Sequence, residues 1–477
     1  MTTASDRLGV APESLSRAAG TPVAASIPPA LPRGPLSRQV WVLALPMLGE
    51  QVGNFLVGLV DTWLAGHLSK EATAAVGTAA YVGWFVGLTF MLVSTGAAAL
   101  VSRSFGAGDR WTAGRTLNQA FLLMLVLGTA TGLLAVLLAP FFAAFLTQTA
   151  AARDLLSMYL RIDAVGYLAL GIFTVVSTVL RASGDTRTPM AIMLLVNVVN
   201  VVVASSLVFG WLGPSLGVRG IAWGTVIARC VGGTLALVLA LAGWRDLRLT
   251  LGGLRPDPGI IHRILRVGLP GGADALIMAV AQLLFIKVIA HTASGPAATA
   301  NYAAHMIAVR MEAITYLPAM AWMTAAATLV GQYLGARQPR RAARAAHVAA
   351  VQGAFLATGV GVAFFFLAEA IFAAFSNDPD VRAVGVPAFR LLAFAQPFLC
   401  AGIIYVGALR GAGDTRFTLL VSTIGGLLVR VPGAYLGGIV LGGGLIGAWC
   451  GMWADNLVRL LLGLARHLHG GWKRIRV

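Results

Sequence analysis

Two stretches, LRASGDTRT at 180–188 and LRGAGDTRF at 409–417, repeat one another at an offset of 229 residues. A second pair, VSRSFGAGDR at 101–110 and VGQYLGARQP at 330–339, has the same offset. Leu45-Pro46 and Leu269-Pro270 form a third pair at an offset of 224, which a five-residue insertion explains. The chain is therefore written twice, and the fold follows from what lies between the repeated words. There the sequence is continuously apolar, as in Val86 to Leu100, Ala120 to Leu146 and Ala354 to Ala374. Runs of this length cross a hydrocarbon core as helices, and they lack the alternation that a membrane strand requires.

Composition points the same way. Of 477 residues, 58% are hydrophobic and 11% charged, with a mean hydropathy of +0.82, too little polar surface to clothe a soluble globule. The formal charge of +17 does not read as a nucleic-acid surface, because the basic residues punctuate apolar runs instead of forming a stripe. Cys230, Cys400 and Cys450 each sit inside an apolar segment without ligand spacing, which implies neither a disulfide framework nor a metal.

The pattern predicts an all-α integral membrane fold of twelve transmembrane helices in two six-helix lobes. Helices are expected near 37–66, 74–104, 116–146, 154–182, 188–211, 218–243, 263–291, 297–334, 343–375, 383–410, 417–438 and 444–468. Six crossings return each half to its starting side, so the lobes form a parallel internal repeat about an axis along the membrane normal, with a cavity between them. Residues 1–35 read as a disordered, uncleaved tail, 36–243 as the first lobe, 244–262 as a basic linker, 263–468 as the second lobe and 469–477 as a basic tail. Arg and Lys crowd alternate loops. One set includes Arg103, Arg110, Arg115, Arg181, Arg187, Arg245, Arg248, Arg337, Arg340, Arg341, Arg410, Arg416, Lys473 and Arg476, whereas the other holds little beyond Lys70, Arg153, Arg219 and Arg382. The positive-inside rule then puts both termini, both tails and the linker in the cytoplasm.

An ionisable side chain inside the bilayer costs at least ~2.5 kcal/mol on insertion scales and needs a reason to be there. On the first helix Pro46, Glu50, Asn54 and Asp61 share a stripe roughly 80° wide at 100° per residue. Pro46 interrupts the hydrogen-bond ladder and allows two bends. Asp61, among apolar neighbours, is suited to take up and release a proton or to hold Na⁺; the alternative is a structural hydrogen bond. Glu50 lies nearer the basic end and is either functional or interfacial. Asn197, Asn200 and Ala204 share a face of the fifth helix, where amide oxygens could meet Asp61 or simply join helices. In the second half Asn301, His305 and Glu312 line one face of a helix with Arg310 pointing away, the makings of a proton relay, a cation contact or a packed buried pair. Asp274, four residues past Pro270, holds the place that Glu50 holds in the first half. Asp185 and Asp414 are suited to cap the helices that follow them.

Taken together, Leu45-Pro46, Val60-Asp61-Thr62, the duplicated RxxGDTR, Asn200 and TLVGQYLGA at 328–336 resemble the multidrug and toxic compound extrusion (MATE) family, on its bacterial damage-inducible-F-like branch. The similarity covers about 35–465. It implies a multi-pass protein of the bacterial cytoplasmic (inner) membrane, expected as a monomer among membrane lipid, that exports small amphipathic, often cationic compounds against H⁺ or Na⁺ by alternating access. It implies no cofactor. In members with a cation site in the first lobe, that site uses a first-helix Asp, a fifth-helix Asn, an Asp one turn later and a sixth-helix Thr. Asp61, Asn200 and Thr225 match these positions and would hold any Na⁺, while Ala204 stands where the second Asp is expected. Losing that charge weakens Na⁺ more than H⁺, since a lone carboxylate still carries a proton.

Two rival transporters and one other class remain. GAGDRWTAGR at 106–115 superficially suggests the major facilitator superfamily, but three residues separate Asp109-Arg110 from Gly114-Arg115 where that family has one. A flippase or exporter of a lipid-linked or other amphipathic metabolite favours a strongly cationic central cavity, against which Asp61, Asp274 and Glu312 argue. A membrane enzyme needs a catalytic cluster, and none of the seven His residues has a convincing nucleophile or metal partner in the sequence.

Overall fold

The computed structural model describes residues 34–147, 149–211 and 213–475. Most of the expected N-terminal tail, and Arg476 of the C-terminal one, lie outside the described residues. Thirteen helical segments follow in order: α1 (Leu36–Gly66), α2 (Lys70–Ala107), α3 (Arg110–Leu146), α4 (Ala150–Val165), α5 (Tyr167–Ser183), α6 (Arg187–Phe209), α7 (Val218–Ala242), α8 (Pro258–Ala290), α9 (Pro296–Gly335), α10 (Pro339–Phe375), α11 (Pro379–Gly411), α12 (Thr415–Val440) and α13 (Gly444–His469). Eleven of these are long and apolar enough to cross a membrane alone, and α4 with α5, bent by 49°, complete a twelfth span.

Several helices begin earlier than expected, and four of them share one physical reason. α8, α9, α10 and α11 each carry proline in the first turn, at Pro258, Pro296, Pro339 and Pro379. Proline's missing N–H is no loss there, since the first-turn amides have no helical acceptor. The linker expected at 244–262 is accordingly shorter, because Asp257 caps α8 by accepting from the amides of Gly259 and Ile260 at 3.0 and 3.3 Å. Two amide side chains of α3 strap this linker down. Asn118 donates to the Arg248 carbonyl and accepts from the Thr250 amide, and Gln119 donates to the carbonyls of Gly253 and Arg255 while accepting from the Asp257 amide.

The halves exchange the starts of their first helices. The start of α1 (Val40, Leu43, Ala44, Met47) is buried in a core with Ala319 to Leu334 and Ala342 to Ala350, whereas Ile260 and Ile264 of α8 join the core of α2, α3 and α5. α2 and α9 meet at the center of this exchange. A Cβ on Gly106 would fall 1.9 Å from the Gln332 carbonyl oxygen, and one on Gly335 would fall 2.0 Å from that of Arg103. Gly106 and Arg103 are the counterparts of Gly335 and Gln332 in the repeat, so each half lays a glycine over the same carbonyl of the other. Gly268 and Gly96 extend the seam, a Cβ on them falling 1.8 and 2.1 Å from the carbonyl oxygens of Leu92 and Ile264. Small residues permit this backbone approach, which is how helices bind in a solvent that offers no hydrophobic drive.

Two outcomes follow. Gly106→Val or Gly335→Val overpacks the seam by about 1–3 kcal/mol, so the thermal midpoint in detergent should drop, and a cysteine placed at buried Ser102 should become reactive to maleimide. At the α8 cap, the hydrogen bond from Arg115, at 2.9 Å, is the main reason that the Asp257 carboxyl sits below its ordinary value. A depressed carboxylate stabilises the fold above about pH 4 and loses that contribution as pH falls through its lowered value. The protection factors of the Gly259 and Ile260 amides, taken against the intrinsic exchange rate at each pH, should therefore fall on acidification, and Asp257→Asn should abolish that change.

Candidate functional site

Between the halves lies a cavity of about 380 Å³. Its walls are methionine and hydroxyl side chains with three charged ones, Glu50, Arg181 and Arg410. Arg181 Nη1 donates to both Glu50 oxygens at 2.7 and 2.8 Å. Arg410 donates through Nε and Nη2 to Asp274 Oδ2 at 3.1 and 2.6 Å. These pairs correspond in the repeat: first-helix acid with the arginine of each RxxGDTR. The sequence reading left Asp274 without a partner and used both arginines only for topology.

The glycines of the two GDTR segments, Gly184 and Gly413, take φ of +97° and +85°, the left-handed turn that ends each preceding helix. Beyond them the copies diverge. Asp185 caps as expected, accepting from the Thr188 amide at 3.1 Å, and it also accepts from the Trp244 indole. Asp414 makes no cap hydrogen bond; its carboxylate accepts from Arg466 of α13 at 2.8 Å, a partner that competes successfully for the same oxygens.

Deeper in the first half, Asn200 and Thr225 come together: Asn200 Nδ2 donates to Thr225 Oγ1 at 3.2 Å. The acceptor oxygen of Asn200 and Oδ1 of Asp61 are both buried without a hydrogen-bond donor. No direct bond joins Asp61 to Asn200, but Tyr159 lies beside both Asp61 and Thr225. Asn197 packs its amide against Gly53, whose missing side chain makes the room, and its Nδ2 is unbonded. Asn54 is half-buried on the same helix as Asp61. Asp163 and Arg229, which the sequence reading passed over, stand within electrostatic reach of Asp61 and pair with each other at 2.7 Å. The rule that flagged Asp61 applies equally to them, since each interrupts an apolar span.

In the second half the expected grouping of Asn301, His305 and Glu312 is not assembled. Asn301 donates to Thr292 Oγ1 at 3.0 Å, fixing the turn between α8 and α9. His305 is enclosed edge-on by Phe285 and Trp449, with ring centroids 5.7 and 5.9 Å away, and neither ring nitrogen has a partner. Glu312, two turns along and hence about 10 Å from His305 at 1.5 Å per residue, lies instead near Arg430 and Gln396. Arg310 is exposed, as expected. The polar center here is one the sequence reading missed: Asp455 accepts from Arg430 Nε at 2.7 Å and from Arg459, while Arg430 also donates to Gln282. Arg430 ends a π-helical stretch, Thr423–Arg430, and Gly425 within it leaves the room that Asp455 and Arg459 fill.

The MatE family profile matches two segments, 46–205 and 272–436, one in each half. The chain belongs to the MatE family. A probable multidrug resistance protein NorM from Thermotoga maritima is 30% identical over 445 residues, 92% of this chain and 94% of that one. The multidrug resistance protein PmpM of Pseudomonas aeruginosa is 29% identical, over 83% of each chain. Among solved structures, an outward-facing multidrug resistance MATE transporter of the MOP superfamily shares the fold at a TM-score of 0.84 and 22% identity, covering 92% of this chain and 96% of its own. As a MatE member the chain is a multi-pass membrane transporter and not an enzyme.

The Arg410 pair gives the site a direct test. Asp274 is fully buried, so Arg410→Met should cost about 3–5 kcal/mol by stranding a charge, whereas Arg410→Met with Asp274→Leu should recover most of it. Thermal unfolding of the two variants side by side measures the difference.

Proposed function

We propose that this MatE protein is a secondary active antiporter of the bacterial inner membrane, exporting small amphipathic, often cationic compounds in exchange for H⁺, with both termini in the cytoplasm. The observation that carries this reading is the Asp61 carboxylate, half-buried in the first lobe with one buried oxygen that has no donor, and joined to the Asn200–Thr225 pair through the neighbouring Tyr159. A carboxylate within a span that makes no ion pair can carry a proton, and neutral oxygens such as those of Asn200 and Thr225 suit Na⁺. With Ala204 in place of a second acid, H⁺ is the better fit. The relatives named for multidrug resistance support the export of varied compounds, and a cavity walled by methionine suits them, because flexible thioethers adapt to different shapes.

Alternating access then means that the glycine seam closes the cytoplasmic side in this state, and that the lobes part along it in the other. A lipid-linked precursor would favour a strongly cationic cavity. Here Glu50 and Asp274 neutralise the two cavity arginines, which supports an amphipathic solute instead.

In proteoliposomes under an imposed pH gradient, Asp61→Asn should abolish export of a fluorescent cation at unchanged expression and thermal midpoint. Wild-type rates in that variant would sink the mechanism, and a steep Na⁺ requirement at fixed pH would replace H⁺ with Na⁺.

A further inference from the structure

Gly470 ends α13 at φ +76°, and a single turn, Gly471–Arg474, follows it. Trp472 in that turn is 1% exposed, sealed in the core that α9, α10 and α11 share with the start of α1. Its indole N–H donates to the His467 carbonyl at 3.0 Å, and its ring stacks on that of His467 with centroids 5.5 Å apart. His467 in turn meets the Tyr405 ring of α11 at 5.1 Å, and the Tyr405 hydroxyl bonds to Nδ1 of His347 on α10 at 2.8 Å. A tryptophan so enclosed, with its one donor satisfied, fixes the turn to the second half.

Three residues on, the same segment touches the first half. The Ile475 side chain packs on the second-half core, but its carbonyl accepts from Nη1 of Arg103 on α2. Arg103 belongs to the glycine seam itself, since its own carbonyl oxygen lies 2.0 Å from where a Cβ on Gly335 would fall. This hydrogen bond therefore joins the two halves at the place where they would part, and its guanidinium donor makes it stronger than a neutral pair. If the lobes separate along the seam, Arg103 leaves with α2 while Trp472 keeps the turn on the second half. The bond belongs to the closed state alone, and a contact made in only one of two states shifts the balance toward that state.

We propose that residues 470–475 are a strap that holds the cytoplasmic side of the seam closed, with Trp472 as its anchor in the second half and Arg103 as its catch in the first. This rests on alternating access along the seam. Arg103 is here a positioning residue, which sets how often the seam opens and touches no solute.

The test is the rate at which a membrane-impermeant maleimide, added to the cytoplasmic face of inverted membrane vesicles, labels Ser102→Cys, a seam position 1% exposed, with the three native cysteines replaced. A parallel protein with Val175→Cys, buried in the first-half core, reports unfolding instead. Arg103→Met should speed labelling at position 102 at least about tenfold, the factor that one hydrogen bond to a charged group supplies. Arg103→Lys, which keeps a donor, should bring the rate most of the way back. Trp472→Ala should act like Arg103→Met, and combining the two should add little, because both release the same contact. Position 175 should stay unreactive throughout. An unchanged rate at position 102 in either folded variant overturns the strap alone, and so does equal acceleration at 102 and 175, which would mark these residues as supports of the fold. If position 102 in the starting protein stays unreactive from the cytoplasmic face while a fluorescent cation is being exported, the strap falls together with opening along the seam.

Discussion

A carboxylate taken into hydrocarbon must find a positive partner or give up its charge, and this constraint organises the whole interior. Glu50, Asp163, Asp274 and Asp455 are held by arginines, the contacts running from 2.6 to 2.7 Å for the first partner of each. Asp61 and Glu312 make no such pair. Each half thus contains one uncommitted acid near a committed arginine, Arg229 in the first and Arg430 in the second. The paired acids fix helix positions. The unpaired ones are the places where a change of charge can be accommodated.

The second organising contact needs no charge. At the glycine seam the two halves touch backbone to backbone, and the contact is self-complementary because the repeat supplies the same glycine and the same carbonyl from each side. That economy has a limit visible at the next turn. Gly108 ends α2 at φ +76°, and its counterpart after α9 is Arg337, at φ +56°. The second copy keeps a left-handed conformation after losing the residue best suited to it, which for an ordinary side chain costs roughly 1–2 kcal/mol. Packing of α2 against α9 holds the turn in place, so inherited geometry outlasts the sequence that first favoured it.

Much of this was legible in the chain itself. Hydropathy placed every span, because crossing length and apolar composition are properties of a single segment. The duplicated words established the two halves, and they contain Gly106, Gly335 and both GDTR turns. Helix starts were misjudged where Pro258, Pro339 and Pro379 were left outside the expected helices, although proline in a first turn is a start signal. The ion pairs were a different matter. Whether Arg181 points to the loop or back to Glu50 depends on how two helices are rotated against one another, and no one-segment pattern encodes that. Asp414 shows the same limit, since the expected cap is not made and its carboxylate instead accepts from Arg466, 52 residues away. His305 and Glu312 share a helical face, yet Phe285 and Trp449 close around one and Arg430 approaches the other.

Ala204 illustrates how packing sharpens a reading based on a missing side chain. A Cβ on Gly224 would fall 2.6 Å from the Ala204 Cβ and 2.7 Å from its Cα, so α6 and α7 press together at this point, and Ala204 is fully buried. The missing acid has therefore left no vacancy; the helices have closed over its place. A second carboxylate there would have to push α7 away, and α7 also carries Thr225 and Arg229. The small residue at 204 and the arginine at 229 thus belong to one arrangement: closing α6 on α7 excludes a second anion from the site, and the same helix brings a cation to the break in α4 and α5. Asp61 is left with no acid facing it from α6, where the neutral Asn200 bonds to Thr225 of α7 instead.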